Sequence, residues 1–295
     1  MSAAPPAGSP LHDPVLRWYA DSARDLPWRA PDAGPWAVLV SEFMLQQTPV
    51  ARVEPVYRAW LERWPTPAAL AADEPGEAVR AWGRLGYPRR ALRLHRAATE
   101  VVARHGGELP PAYDDLLALP GVGSYTAAAV ASFAFGQRHA VLDTNVRRVL
   151  VRAAAGRAEP APALTAAERR LGESLVPEQP AVAARWAVAV MELGALVCTA
   201  RSPKCEACPV RGLCAWQQAG RPAHDGPARR RQAYAGTDRQ VRGLLMAVLR
   251  SADGPVRGEA LDAVWDDAAQ RDRALAGLVV DGLVERDGDG FRLPR

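Results

Sequence analysis

All four cysteines of this 295-residue chain fall within one stretch of 17 residues, at Cys198, Cys205, Cys208 and Cys214. No disulfide can tie distant parts together, so the fold must be held by its own packing. Thiols crowded so locally point to a metal or cluster site. The spacing is C-x6-C-x2-C-x5-C, with Arg201, Lys204 and Arg211 between the cysteines. Four thiolates can hold a structural zinc or a [4Fe–4S] cluster. Four-cysteine zinc sites usually pair two short C-x-x-C units, and only one is present, Cys205 with Cys208. That favours the cluster, with basic loops around it turned toward phosphate.

Up to about residue 217 the pattern is helical. Apolar residues recur at spacings of three and four, Pro and Gly mark the turns, and strict alternation is absent. In QQTPV, Thr48 is placed to cap a helix whose first position is Pro49. PAYDDLLALP (111–120) reads as a short helix stopped by Pro120, and a second helix runs from Ser124 to about Phe135, ended by Gly136. No apolar run is long enough to span a membrane and the N-terminus has no signal-peptide core. The expectation is a cytoplasmic, monomeric protein with no membrane partner and a disordered segment at 1–11.

From about 218 to 237 the composition shifts to a basic linker containing Arg229 to Arg231. Residues 238–295 read as a small separate unit of two or three helices followed by GLVERDGDGFRLP, a hairpin signal. Helices followed by a hairpin suggest a winged-helix-like module. Net charge is +4 with pI near 9.1, which permits nucleic acid as a partner without requiring it. Of 37 basic residues only Lys204 is lysine.

Three short stretches could carry chemistry. LPGVGSYTA (119–127) turns tightly through Gly121, Val122 and Gly123 into a helix. Such a turn leaves backbone N–H groups free to bind a phosphodiester, although a plain helix–turn–helix corner would look the same. Glu42 lies in the almost wholly apolar PWAVLVSEFMLQQT. A carboxyl desolvated there would act as an acid near neutrality, whereas one at the rim of the helix would not. Asp143 in AVLDTNVRRVL stands where a helix begins, and aspartate is also a favoured N-cap.

Together SEFMLQQT, LGYPRR, LPGVGSYTA, LDTNVRRVL, ELGALVCT and the cysteines resemble the helix-hairpin-helix DNA glycosylases with an iron–sulfur cluster. The likeness runs over roughly residues 12–216 and is strongest to the MutY-type adenine DNA glycosylases. It implies a mostly all-α fold of two helical subdomains with a [4Fe–4S] cluster loop. One, at 31–138, would have six helices and the hairpin; the other, at 12–30 and 139–217, would carry the cluster on Cys198, Cys205, Cys208 and Cys214. It also implies a double-stranded DNA substrate holding adenine opposite 8-oxoguanine or guanine. By the same likeness, Glu42 protonates adenine, Asp143 stabilises the oxocarbenium character of the sugar electrostatically or through a transient bond, and Asn145 orients acid and water. The base must leave the stack. Gln47, in the QQT turn with Thr48, and Tyr87 match residues that probe the helix beside the lesion, and Trp28 and Arg29 match the base-pocket lining. Tyr125 stands where endonuclease III-like relatives carry the lysine that forms a Schiff base, which implies a monofunctional glycosylase.

Three departures accompany the likeness. Thr144 replaces the glycine usual after the catalytic aspartate. Val188 stands four residues before Glu192, where an acid or amide touching adenine is expected. Only about 80 residues follow Cys214, too few for the Nudix-like domain that inspects 8-oxoguanine in many members. A thymine, uracil or oxidised-pyrimidine glycosylase of the same superfamily is therefore the alternative enzyme. A DNA-binding protein without catalysis is the alternative of another class, against which the two acids speak.

Overall fold

The computed structural model describes residues 8–224, 226 and 234–295. Arg229 to Arg231 of the basic linker lie outside the described residues. Secondary structure is helical up to residue 218, as the apolar spacing predicts, and the chain divides into two compact units. Among the described residues no helix is long and apolar enough to cross a membrane.

The first unit takes in residues up to 38, 111–118 and 122–227. It contains α1 (His12–Ser22), α7 (Tyr113–Ala118), α8 (Ser124–Phe133), α9 (Thr144–Ala153), α10 (Ala166–Ser174), α11 (Pro180–Leu196) and α12 (Ala215–Gln218). Its core lies where α9 packs on α11: Val146, Val149 and Leu150 meet Trp186, Ala189, Val190 and Leu193. The small residues of α11 let the helices approach closely. A Cβ added at Gly194 would stand 2.8 Å from the Asn145 Cβ. Leu11 and Val15 join this core from the chain start. Leu11, at the end of the segment expected to be disordered, is thus buried, because the α9–α11 groove offers it an apolar seat.

The second unit takes in residues 39–110, 119–121 and 228–295, so the division falls inside α2 (Pro35–Leu45) and inside the hairpin turn. Its helices include α3 (Val50–Arg63), α4 (Pro67–Ala71), α5 (Pro75–Trp82) and α6 (Arg89–His105). Trp60 is packed edge-on by Trp64 and Trp82, with ring centroids 4.6 and 5.7 Å away. The subdomain expected at 31–138 is therefore drawn differently by the contacts, which assign α7 and α8 to the first unit.

Residues 238–295 belong to this second unit. They form α13 (Asp238–Ser251), α14 (Gly258–Asp262), α15 (Ala268–Val280) and a three-stranded antiparallel sheet in the order β1 (Val256–Arg257), β3 (Gly290–Arg292), β2 (Glu285–Asp287). The hairpin closes across Asp287 and Gly290, with Gly288 in the left-handed region at φ +57. The module is not set apart from the helices of its unit. The Gly76 N–H donates to Pro294 O at 2.7 Å, and a Cβ at Gly76 would stand 2.5 Å from that oxygen. Arg250 Nε donates to Val79 O at 3.1 Å. The glycine at Gly76 allows the C-terminal tail to lie directly on the start of α5.

Candidate active site and cluster loop

Within the first unit the functional side chains cluster around α9. Asp143 caps that helix, as its sequence position suggests: one carboxylate oxygen accepts from the Val146 N–H at 2.6 Å, and the other accepts from Asn145 Nδ2 at 3.0 Å. Removal from water pushes its carboxyl above the usual range, against the pull of these hydrogen bonds. Asn145 is held in turn by Arg148, whose Nη2 donates to Asn145 Oδ1 at 2.8 Å and to Gly194 O at 2.7 Å. The Nε of Arg148 donates to Cys198 O at 2.7 Å. A continuous chain of hydrogen bonds thus joins the carbonyl of the first cysteine to the Asp143 carboxylate. Fixing the amide oxygen of Asn145 on a guanidinium leaves its NH2 to face Asp143, which removes the ambiguity of an amide flip.

Trp28 and Arg29 lie in a single turn of 3₁₀ helix, and Trp28 is buried. That turn is tied to α11 by Glu192, whose side chain is fully buried. The Arg24 backbone N–H and Nε donate to Oε1 at 3.1 and 2.7 Å; Arg24 Nη2 and Arg29 Nη2 donate to Oε2 at 2.7 and 2.9 Å. Two guanidinium groups overcome the cost of burial and hold the Glu192 carboxyl down at about 2. Arg29 Nη1 is buried without a hydrogen-bond partner among the described residues. Val188, one turn before Glu192 on α11, is half-buried.

Tyr125, half-buried on α8, packs against Ala128, Ala129, Val141 and Ala187. With Ser124, Tyr113, Arg138, His139 and Arg169 it lines a cavity of about 290 Å³. The N-terminus of α8 has Gly123 at its cap and no side-chain cap hydrogen bond. Val122 is buried and anchors the turn.

The cysteines follow α11. Cys198 succeeds its last turn, Cys205 and Cys208 flank a 3₁₀ turn, and Cys214 precedes α12. All four line one small recess, about 20 Å³, together with Arg152, Arg211 and Trp216. Arg152 reaches in from α9: its Nη1 lies 3.5 Å from Cys198 Sγ and donates to Thr199 O at 2.7 Å. Four thiols, two guanidinium groups and no acid suit an anionic iron–sulfur cluster.

Glu42, Gln47, Thr48, Tyr87 and Gly121 belong to the second unit. Glu42 is 5% exposed, so the rim-exposed alternative is excluded. Gln47 and Tyr87 both adopt left-handed backbone, at φ +56 and +49, which is uncommon for side chains of their size. Thr48 does not cap α3, as its position before Pro49 suggests. The helix starts at Val50, and Thr48 Oγ1 instead donates toward Leu85 O at 3.3 Å and accepts from Arg90 Nη2 at 3.3 Å. Gly121 is required by space: its φ is +80, and a Cβ would lie 2.7 Å from the Arg93 Cβ.

Sequence reading missed Arg90. It is 5% exposed and has no carboxylate partner among its hydrogen bonds. Its guanidinium donates to Phe43 O at 3.0 Å, to Gly86 O at 3.1 Å and to Gln46 O. Gln46 and Gly86 directly precede the two left-handed residues, so one arginine clamps both turns. Burial lowers its pKa to about 10. Arg148 and Arg152 were missed in the same way. The only signal in the sequence was their place beside the motif residues.

Residues 40–174 match the HhH-GPD superfamily of base excision DNA repair proteins, and residues 198–214 match the iron–sulfur binding domain of endonuclease III. The chain is 54% identical over 282 residues to the adenine DNA glycosylase of Mycobacterium tuberculosis, covering 95% of this chain and 92% of that one. It is 44% identical over 213 residues to the human adenine DNA glycosylase, covering 69% of this chain and 39% of that one. The solved structure of a thermostable thymine-DNA glycosylase superposes with a TM-score of 0.61 at 29% identity, over 70% of this chain and 94% of that one.

Proposed function

Because the chain belongs to the HhH-GPD superfamily and, within it, to the iron–sulfur adenine DNA glycosylases, we propose that this base-excision-repair enzyme removes adenine mispaired with 8-oxoguanine or guanine and leaves the strand uncut. The observation that carries this reading is the arrangement at Asp143. An aspartate shielded from water, hydrogen-bonded by Asn145 and backed by Arg148, is suited to stabilising positive charge on a sugar.

The reaction divides between two unlike acids. Glu42, buried on α2, donates a proton to the adenine ring, which makes the base a neutral leaving group. As the bond between the base and C1′ breaks, Asp143 stabilises the cationic sugar. Water adds to C1′ and gives up a proton, leaving free adenine and an abasic site. Asn145 orients Asp143 and the water. Trp28 and Arg29 serve the extruded base. Gln47 and Tyr87 fill or probe the duplex where it left, and the turn at Gly121, Val122 and Gly123 grips the backbone through N–H groups. Strand cleavage by a lysine Schiff base has no source: the only lysine, Lys204, sits in the cysteine loop, and Tyr125 occupies the hairpin position. Cys198, Cys205, Cys208 and Cys214 hold the [4Fe–4S] cluster, which when bound braces the end of α11 and the basic loop around it. The protein acts as a monomer on duplex DNA.

Val188 supports a second reading, release of thymine, because it removes the polar group expected beside adenine. A single-turnover assay separates the two. Duplexes would carry adenine opposite 8-oxoguanine, adenine opposite guanine, thymine opposite guanine, or thymine glycol opposite adenine, each read with and without alkali. Loss of adenine from the first two, breaks only after alkali, and no activity in Glu42→Gln are expected. Release of thymine or of the oxidised pyrimidine alone overturns the assignment.

A further inference from the structure

The alignment with the mycobacterial enzyme is long enough to include most of residues 238–295, whereas 213 residues cannot span both the helical body and this module. Nothing in the proposed reaction gives this module work to do. Its position within the second unit does. The first turn of α13 carries Arg239, whose guanidinium carbon lies 6.0 Å from the centre of the Tyr87 ring and 5.9 Å from that of Tyr234. Both rings are about half exposed, 53% for Tyr87 and 54% for Tyr234.

Each part of this group is rigidly placed. Tyr87 is held by its left-handed backbone and by the Arg90 clamp one residue upstream. The turn carrying Tyr234 is closed by the Thr237 hydroxyl, which donates to Tyr234 O at 2.7 Å, and by the Gly236 N–H, which donates to Gln240 Oε1 at 2.7 Å. Gly243 makes room on α13 for the Tyr234 hydroxyl, which would lie 3.2 Å from a Cβ there. Gln270 on α15 donates to Gly236 O at 3.0 Å and ties the turn back to the module. Asp281, at the end of α15, pairs with Arg89 beside Tyr87 at 3.2 Å and also with Arg242.

We propose that the C-terminal module is a second DNA-contacting element, and that Arg239 with Tyr234 extends the Tyr87 turn into a guanidinium–aromatic platform that receives the duplex. This rests on the reading of Tyr87 as a residue that probes DNA. Planar cations and phenol rings stack on bases whatever the sequence, and a guanidinium also answers a phosphate. Exposed rings with a cation between them, fixed by hydrogen bonds from two directions, suit a flat polyanionic partner and offer little to an apolar one.

The test uses the full chain with its cluster, and duplexes carrying a tetrahydrofuran abasic analogue opposite 8-oxoguanine or guanine, with binding read by fluorescence anisotropy. Arg239→Ala and Tyr234→Ala should each weaken binding by about 5–10-fold at unchanged unfolding temperature. Arg239→Lys, which keeps charge without a planar stack, should remain weakened. Arg58→Ala on α3, where the arginine pairs with Glu54 in its own helix turn, is the charge control and should bind as wild type. Wild-type affinity in both Arg239→Ala and Tyr234→Ala overturns the proposal, as does an equal loss in Arg58→Ala. If adenine is released normally and Tyr87→Ala binds poorly while Arg239→Ala does not, the platform fails and the glycosylase reading survives. If Tyr87→Ala binds as wild type and no adenine is released, that reading itself fails.

Discussion

The surroundings of Glu192 and of Asp143, on the packed helices α11 and α9 of one unit, treat a carboxylate in opposite ways. Glu192 is fully buried and clasped by Arg24 and Arg29, so its ionised form is favoured and its pKa falls to about 2. Asp143 receives only neutral donors, Val146 N–H and Asn145 Nδ2, and its pKa rises. Arg148 touches Asn145 rather than the acid. One carboxylate is built to stay charged and hold the pocket lining. The other has its nearest guanidinium, Arg148, one amide away, which in the proposed reaction leaves it for a cation that forms in the substrate. The two sites therefore differ in whether a guanidinium meets the acid directly or through an amide.

The largest expected effect comes from Asp143→Asn, which keeps the helix cap and removes the charge. Single-turnover adenine release should fall by roughly 1,000-fold, in the range for loss of a charge-stabilising group, while the unfolding temperature changes little. A matching fall in stability would place Asp143 with Glu192 and erase the contrast.

Glu192→Gln should do the reverse. It leaves Arg24 and Arg29 without a counter-charge and should cost about 3 kcal/mol of unfolding free energy, as broken buried pairs do. The pH dependence follows with its sign. The folded Glu192 pKa lies below the ordinary 4.5, so its contribution is complete above that value and disappears as pH falls from about 4.5 toward 2. Asp143, raised on folding, has the opposite sign and costs stability when ionised. Activity that needs ionised Asp143 should thus be lost, on acidification, at a higher pH than the contribution of Glu192. Rate and chemical-unfolding profiles of wild type and Glu192→Gln across pH 3–7 would measure both limbs.

Arg148→Lys tests the amide relay. Lysine cannot serve Cys198 O, Gly194 O and Asn145 Oδ1 together, so Asn145 loses its orientation. A fall of about 10–100-fold in the single-turnover rate is expected, with the visible absorption of the cluster retained. The smallest effect is expected from Arg90→Lys in the other unit, where a guanidinium holds two backbone turns and no acid. Duplex affinity should drop about fivefold with the rate at saturating enzyme nearly unchanged, because only the placement of Gln47 and Tyr87 is relaxed, as expected where uniform binding is lost.

The motifs were legible because their chemistry is local. Asp143 caps its helix through a residue three positions on, the DGDG turn sets its own hairpin, and Ser124 to Phe133 is an alanine-rich run of good helix formers. Thr48 was misread because the partners of its hydroxyl, Leu85 and Arg90, lie about 40 residues away. The two-residue strand β1 is invisible alone, since it exists only by pairing with β3. Arg90, Arg148 and Arg152 read as surface charge, because arginine is seldom fully buried and its partners here are backbone carbonyls that any sequence possesses.

By itself the sequence determined the helical class, the cysteine loop and the presence of a single lysine, Lys204, and it singled out Glu42 and Asp143 as candidate acids. Each rests on residue identity and short-range spacing. Tertiary structure decided which acid meets a guanidinium, which arginines are buried clamps, and that residues 238–295 lie beside Tyr87. Those outcomes depend on which side chains and carbonyls converge from distant segments once the cores close, and side-chain type does not encode that convergence.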